Sequence, residues 1–171
     1  MINGSLNSVP ARIRLDGFKD ALVENDIKPN ERFIINMDPS NNSESQHNDG
    51  FNKAAGYSAM KKILNGGSNR PTAVFIASDI QAVGAIRAIR EKGLRIPDDI
   101  AIVGFDDIEL SEYLGLTTIH QPMFEMGTLA ANRLTSKISG TNSRGLKKVF
   151  STKLIIRETC GALNNGSIVK K

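Results

Sequence analysis

The sequence predicts an α/β protein built on a mostly parallel sheet with helices on both faces. Three observations carry that expectation. Short apolar runs (F-I-I within residues 31–37, A-V-F-I-A at 73–77, I-A-I-V at 100–103) alternate with stretches of helical period. Strands covered on both faces read as such continuous runs, because neither face meets water. Glycines close the helical stretches at Gly66-Gly67 and at Gly93, where a left-handed residue ends a helix without a Cβ penalty. Polar residues, Ser78-Asp79 and Asp106-Asp107, gather where two of the apolar runs end. In open α/β sheets ligands bind beyond those carboxyl ends.

The elements follow in order. Met1-Ile2 reads as the end of a strand, and Asn3-Gly4-Ser5 as a turn. Residues 10–25 predict an amphipathic helix, with Pro10 in its first turn and Ile13, Phe18, Ala21 and Leu22 as its apolar face. A short strand lies within 31–37, and 38–50 is a polar loop. A second helix covers 51–64, its apolar side formed by Ala54, Ala55, Ala59, Met60, Ile63 and Leu64. A strand at 73–77 leads into a helix that Ser78 or Asp79 caps and that runs to about Lys92. After the strand at 100–103 come a brief helix or turn at 109–116 and a β-rich run at 116–120. Pro122 opens a helix to about Ile138, with Phe124, Met126, Leu129, Ala130 and Leu134 on one face. Residues 139–145 are a loop, 149–156 hold one long or two short strands, and the polar end frays.

Composition bounds the function. The chain has 171 residues, enough for one ordinary domain with a real core. There is no Trp and aromatics are 5%, which argues against a stacking surface for single-stranded nucleic acid. The net charge is +4, much of it late, at Arg144, Lys147, Lys148, Lys153, Arg157, Lys170 and Lys171. Solvated tail and helix-end charges are the expected reading of these. Cys160 is the only cysteine, so no internal disulfide forms and a cytoplasmic setting is expected. It reads as a buried structural thiol. No signal-peptide pattern and no membrane-spanning run is present.

Catalytic motifs are missing. The sequence holds no phosphate loop, no dinucleotide fingerprint, no H-E-x-x-H and no G-x-S-x-G. His47 and His120 stand alone, so no metal site and no cofactor is expected. The candidate residues are therefore polar groups at strand ends and helix starts. Asp79 reads as a helix cap or a ligand contact, and Ser78 as the alternative cap. Asp106 and Asp107 can cap a turn, accept from ligand hydroxyls, hold a metal or take a phosphoryl group. Arg14 can grip an oxygen or an anion. Phe51, after the polar loop, is core or a platform for a sugar or base face.

Taken together these residues resemble the LacI/GalR family of bacterial transcription regulators. The carriers are A-V-F-I-A-S-D-I-Q-A-V-G-A-I-R-A-I-R-E-K-G-L-R-I-P-D-D-I-A-I-V-G-F-D-D-I and, at residues 116–127, L-T-T-I-H-Q-P-M-F-E-M-G. The start, I-N-G-S-L-N-S-V-P-A-R-I-R-L-D-G-F-K-D-A-L, and the late L-I-I-R-E-T-C also fit. The resemblance covers residues 1–161, interrupted by a long 38–50 loop.

The resemblance implies a type I periplasmic-binding-protein-like core in which two subdomains clamp an effector, preceded by a DNA-binding headpiece. Residues 1–113 would be the C-terminal subdomain. Residues 114–148 would be a crossover strand and an orphaned helix of the N-terminal subdomain, 149–161 the returning strands, and 162–171 a flexible tail. It implies effector contacts at Arg14, Asp106, Phe51, Ser8 and Gln121. Ser78 stands where many members have Asn, and Asp79 follows it as cap or contact. Val83, Leu110, Tyr113 and Leu114 would line a homodimer interface. The expected partners are a sugar-like small molecule and a second copy; DNA is reached only through a headpiece outside this chain. This chain alone is expected to bind no operator specifically and to hold effector weakly or not at all. A periplasmic sugar receptor of a transporter is the rival reading, and a phosphoacceptor or metal-dependent α/β enzyme using Asp106 and Asp107 is the third.

Overall fold

The computed structural model describes residues 1–38, 48–140 and 147–163. Its strands are β1 (Ile2–Ser5), β2 (Ile35–Met37), β3 (Ala73–Phe75), β4 (Ala101–Asp106), β5 (Thr118–His120) and β6 (Lys153–Ile155). Its helices are α1 (Val9–Glu24), α2 (Lys53–Leu64), α3 (Asp79–Glu91), α4 (Glu109–Tyr113) and α5 (Met123–Ile138). β1 pairs in parallel with β2, and an Ile2–Ile76 bridge joins that pair to the run β3-β4-β5-β6. Among the described residues only β6 runs antiparallel, against β5. The mostly parallel α/β architecture is thus the observed one.

Two apolar clusters hold the layers. The larger gathers Ile2, Ala55, Met60, Ile63, Ile76, Ile86, Ile89, Ile100 and Ile102, all buried, between α2, α3 and the strands. The smaller holds Met1, Leu15, Ile34 and Ala77, with Phe18, Phe51 and Phe75 packed on it, under α1. Close approach of α2 and α3 depends on two glycines. A Cβ at Gly56 would collide with the Gln81 carbonyl, and one at Gly84 with the Lys53 carbonyl.

Several elements depart from expectation. Asn3-Gly4-Ser5 is not a turn but the fully buried body of β1. The Asn3 amide makes this possible by donating to the Ala11 carbonyl (3.1 Å) and to Asn36 Oδ1 (3.0 Å). The face of α1 is also rotated: Ala11 and Leu15 are buried and Phe18 and Leu22 half-buried, while Ile13 (65% exposed) and Ala21 face solvent. That rotation brings Arg14 inward. In α2 Ala54 is exposed, and the helix starts after Asn52, whose side chain accepts from Ala55 N. β4 extends to Asp106, beyond the apolar run, because Gly104–Asp106 pair with Thr118–His120. Only Lys153–Ile155 of the expected 149–156 strand pairs. Most of the 38–50 and 139–145 loops, with His47, Arg144 and residues 164–171 of the tail, lie outside the described residues.

α5 forms as expected, and none of its residues is buried. Phe124, Leu134 and Ile138 are 83%, 60% and 77% exposed.

Candidate effector site

Strand ends β1, β3, β4 and β5 converge at one edge of the sheet. Arg14, on the first turns of α1, donates from Nη1 to the Ala77 carbonyl at 2.6 Å. Its Nη2 lies 3.5 Å from Asp106 Oδ1, an ion pair longer than a good hydrogen bond. The guanidinium sits 4.0 Å from the Phe105 ring centre and 5.5 Å from that of Phe51, within cation–π range of both. Gln121, just after β5, donates from Nε2 to the same Asp106 oxygen at 2.7 Å. The Ser78 side chain lies near the Asp106 carboxyl. Five of the seven expected effector residues, Arg14, Phe51, Ser78, Asp106 and Gln121, therefore form one cluster.

The electrostatics follow from burial. Desolvation raises the Asp106 carboxyl above the ordinary carboxylate range, against the pull of Arg14 and of the Ser78 and Gln121 hydrogen bonds. Desolvation also lowers Arg14 from its ordinary value, against Asp106 and Asp79. The ion pair is thus half out of water with donor capacity to spare, since the fork has five N–H groups. Such a site offers hydroxyl-bearing ligands an acceptor, a donor and an aromatic face together.

Asp79 takes a different place. It is fully buried and accepts from Thr118 Oγ1 (2.7 Å), Ser111 Oγ (2.7 Å) and Ile108 N (3.2 Å). These three bonds engage both of its carboxylate oxygens. It does not cap α3: it is the first helical residue, and Ser78 before it makes no side-chain capping bond. Asp79 instead ties α3 to β5 and α4. Gly104 allows this, because a Cβ there would strike Asp79 Oδ1. Ser8 precedes α1 at the same edge as the β1 end, and its hydroxyl makes no capping bond.

Reading the sequence missed a second polar cluster. Asp107 accepts from Arg157 Nη2 at 2.9 Å and lies 2.9 Å from His120 Nδ1. His120 is therefore not isolated, and Arg157 is not a solvated tail charge but a half-buried partner. Asp106 (φ 121°) and Asp107 (φ 56°) both adopt the left-handed region. Non-glycine residues there cost roughly 1–3 kcal/mol each and persist where their surroundings hold them in place. A signal for this cluster was available in the paired acids, but their partner lies 50 residues on. Cys160 is not buried but partly exposed. Among the described residues no group of three or more His, Cys, Asp or Glu could hold a metal, and no helix is long and apolar enough to cross a membrane.

Of the expected interface residues, Tyr113 is 78% and Leu110 37% exposed on α4. Val83 is half-buried, and Leu114 packs against the larger core.

The family described as "Periplasmic binding protein-like domain" matches residues 2–160. The ribose operon repressor of Haemophilus influenzae is 39% identical over 165 residues, 95% of this chain and 46% of that protein. The HTH-type transcriptional repressor PurR of Klebsiella pneumoniae is 40% identical over 140 residues, 81% of this chain and 37% of that one. A solved structure titled as the complex of the transcriptional regulator CelR with cellobiose superposes with a TM-score of 0.79 at 30% identity, covering 92% of this chain and 45% of the other. The chain spans less than half the length of each of these relatives. On these matches the chain belongs to the periplasmic binding protein-like domain family, and the relatives it resembles are transcriptional repressors and regulators.

Proposed function

We propose that this chain is the effector-sensing and dimerisation part of a LacI/GalR-type regulator. Its effector is a small polyhydroxylated molecule, a sugar or sugar derivative. The observation that carries this is the convergence of Arg14, Asp106, Gln121 and Ser78 beside Phe51 at one open sheet edge. An ionised carboxylate only accepts and a guanidinium only donates, so the pair matches hydroxyls and ring oxygens in alternation. Ser8 joins them from the start of α1. Asp79 holds the frame from behind.

In this reading residues 1–113 are one subdomain, 114–148 and α5 belong to a second subdomain supplied by further chain, 149–161 return to the first, and 162–171 are a tail. Effector acts by a population shift, binding one subdomain arrangement better than the other. A second copy docks through Val83, Leu110, Tyr113 and Leu114, where the exposed Tyr113 supplies the largest apolar group. DNA is engaged by a headpiece outside this chain, in the cytoplasm, and no reaction is catalysed. A flat heterocycle is the second reading of the effector, favoured by the Arg14 guanidinium poised over Phe105 and near Phe51.

The test is a chemical-shift titration of the chain at millimolar D-ribose, cellobiose and a purine base. Shifts confined to Arg14, Phe51, Ser78 and Gln121 with one sugar support the proposal. Shifts there with the base alone favour the second reading. Shifts only elsewhere in the chain contradict the site.

A further inference from the structure

The second acid, Asp107, makes no bond to Arg14 in any contact described above and has two close partners of its own. Arg157 reaches it from beyond β6 with one guanidinium nitrogen (2.9 Å) and gives the other to the Leu116 carbonyl, also at 2.9 Å. The backbone of Arg157 exchanges two bonds with Thr117 Oγ1, N–H donating at 2.9 Å and C=O accepting at 3.1 Å. Asp107 then meets His120 Nδ1 at 2.9 Å. Its side chain is 16% exposed, that of Arg157 21% and that of His120 41%. Across β4 and β5, Asp106 faces His120 in register. The bonds therefore cross over: Asp106 bonds Gln121, while Asp107 bonds His120.

Two adjacent non-glycine residues with positive φ need such fixation. Without it, the backbone at 106–107 is free to relax and carry the Asp106 carboxylate away from Gln121. We infer that Asp107, held by Arg157 and His120, is a positioning residue that latches the ends of β4 and β5 and so sets the Asp106–Gln121 pair. For its consequence in effector binding the inference rests on the proposed function. The latch itself stands apart from any ligand. It joins the cleft acid to the strands that lead into and out of α5, so a movement of those strands reaches Asp106 through Asp107.

The experiment reads the latch without effector. Side-chain amide resonances and hydrogen exchange of Gln121 and Gln81 are compared in the 171-residue chain and two variants. Gln81 is the internal fold reporter, since its Nε2 donates to the Asn3 and Gly50 carbonyls away from the latch. Asp107→Asn keeps the shape and removes the charge. Asp107→Gly removes the side chain but suits the positive φ, so it relieves the backbone. In both, the Gln121 amide is expected to move towards an unbonded position and to exchange about tenfold faster, the worth of one hydrogen bond to a charged group, while Gln81 holds. Gln121 unchanged in the two variants overturns the inference. Gln121 and Gln81 changing together also overturns it, because Asp107 is then a general stability residue. A sugar titration whose shifts fall only outside the site, with the latch intact, counts against the proposed function and leaves the latch standing.

Discussion

α3 and α5 are both amphipathic helices, of 13 and 16 residues. α3 buries Asp79, Gln81, Ala82, Gly84, Ala85, Ile86, Ala88 and Ile89; α5 buries none of its residues. The difference is one of partners rather than of pattern. α3 lies against α2 and the sheet in a cluster the described residues complete among themselves. α5 hangs on β5 and β6, which are joined to the rest by short strand pairing and by polar bonds around Asp107 and Asp79. Apolar periodicity specifies a face; only a neighbour turns it into stability.

The comparison is broken most forcefully inside α3. Ile89→Ala is expected to cost ~2–5 kcal/mol of unfolding free energy, the range for a large buried aliphatic cut to Ala, read by urea denaturation. Leu134→Ala on α5 is the counterpart, and a comparable loss there would show that α5 is packed after all. Next comes Asp79→Ala, which strips three donors of their acceptor. It should cost roughly 2–4 kcal/mol, about 1–2 kcal/mol for each of the buried Ser111 and Thr118 hydroxyls, near the low end for an unsatisfied buried group. Slow amide exchange should disappear from β5 and α4 before it does from α2 in that variant.

Smaller effects sharpen the contrast. Leu134→Ser is expected within about 0.5 kcal/mol of the parent, the usual range for exposed positions. It should lower self-association in sedimentation, because it takes one apolar side chain out of the exposed face of α5. Smallest is a pH effect at Asp106. Its carboxyl is raised by burial, so the stability it contributes is present below the ordinary carboxylate range and lost as pH rises through the raised value. Denaturation midpoints from pH 4 to 7 should therefore fall more in the parent than in Asp106→Asn. Parallel curves would contradict that sign.

Much of this was legible in the residues. The alternation of apolar runs and helical stretches placed α2, α3 and β4, the polar groups at strand ends marked Ser78 and Asp106, Arg14 stood out on the first helix, and Gln121 came only from the family resemblance. What was not legible depended on distant partners. Asn3, Gly4 and Ser5 look like a turn because a buried strand seldom carries them; here the Asn3 amide finds Ala11 and Asn36, and Gly4 leaves room for the Phe51 ring. Ile13 looked like core, yet the helix turns to bring Arg14 to the Ala77 carbonyl. Asp79 and Asp107 each looked like a ligand contact or a cap, and neither role could be told from the structural one without seeing Thr118 and Arg157 beside them.

The central claim is that Arg14 and Asp106 form the effector-binding pair. It is tested most directly by repeating the sugar titration with Arg14→Ala, and with Arg87→Ala as control, a surface arginine that pairs with Glu91 and lies over the Tyr57 ring. The account predicts that the response at Phe51 and Gln121 weakens about tenfold or more in Arg14→Ala, as expected for losing a charged hydrogen-bond donor, and is unchanged in Arg87→Ala. An undiminished response in Arg14→Ala would contradict it.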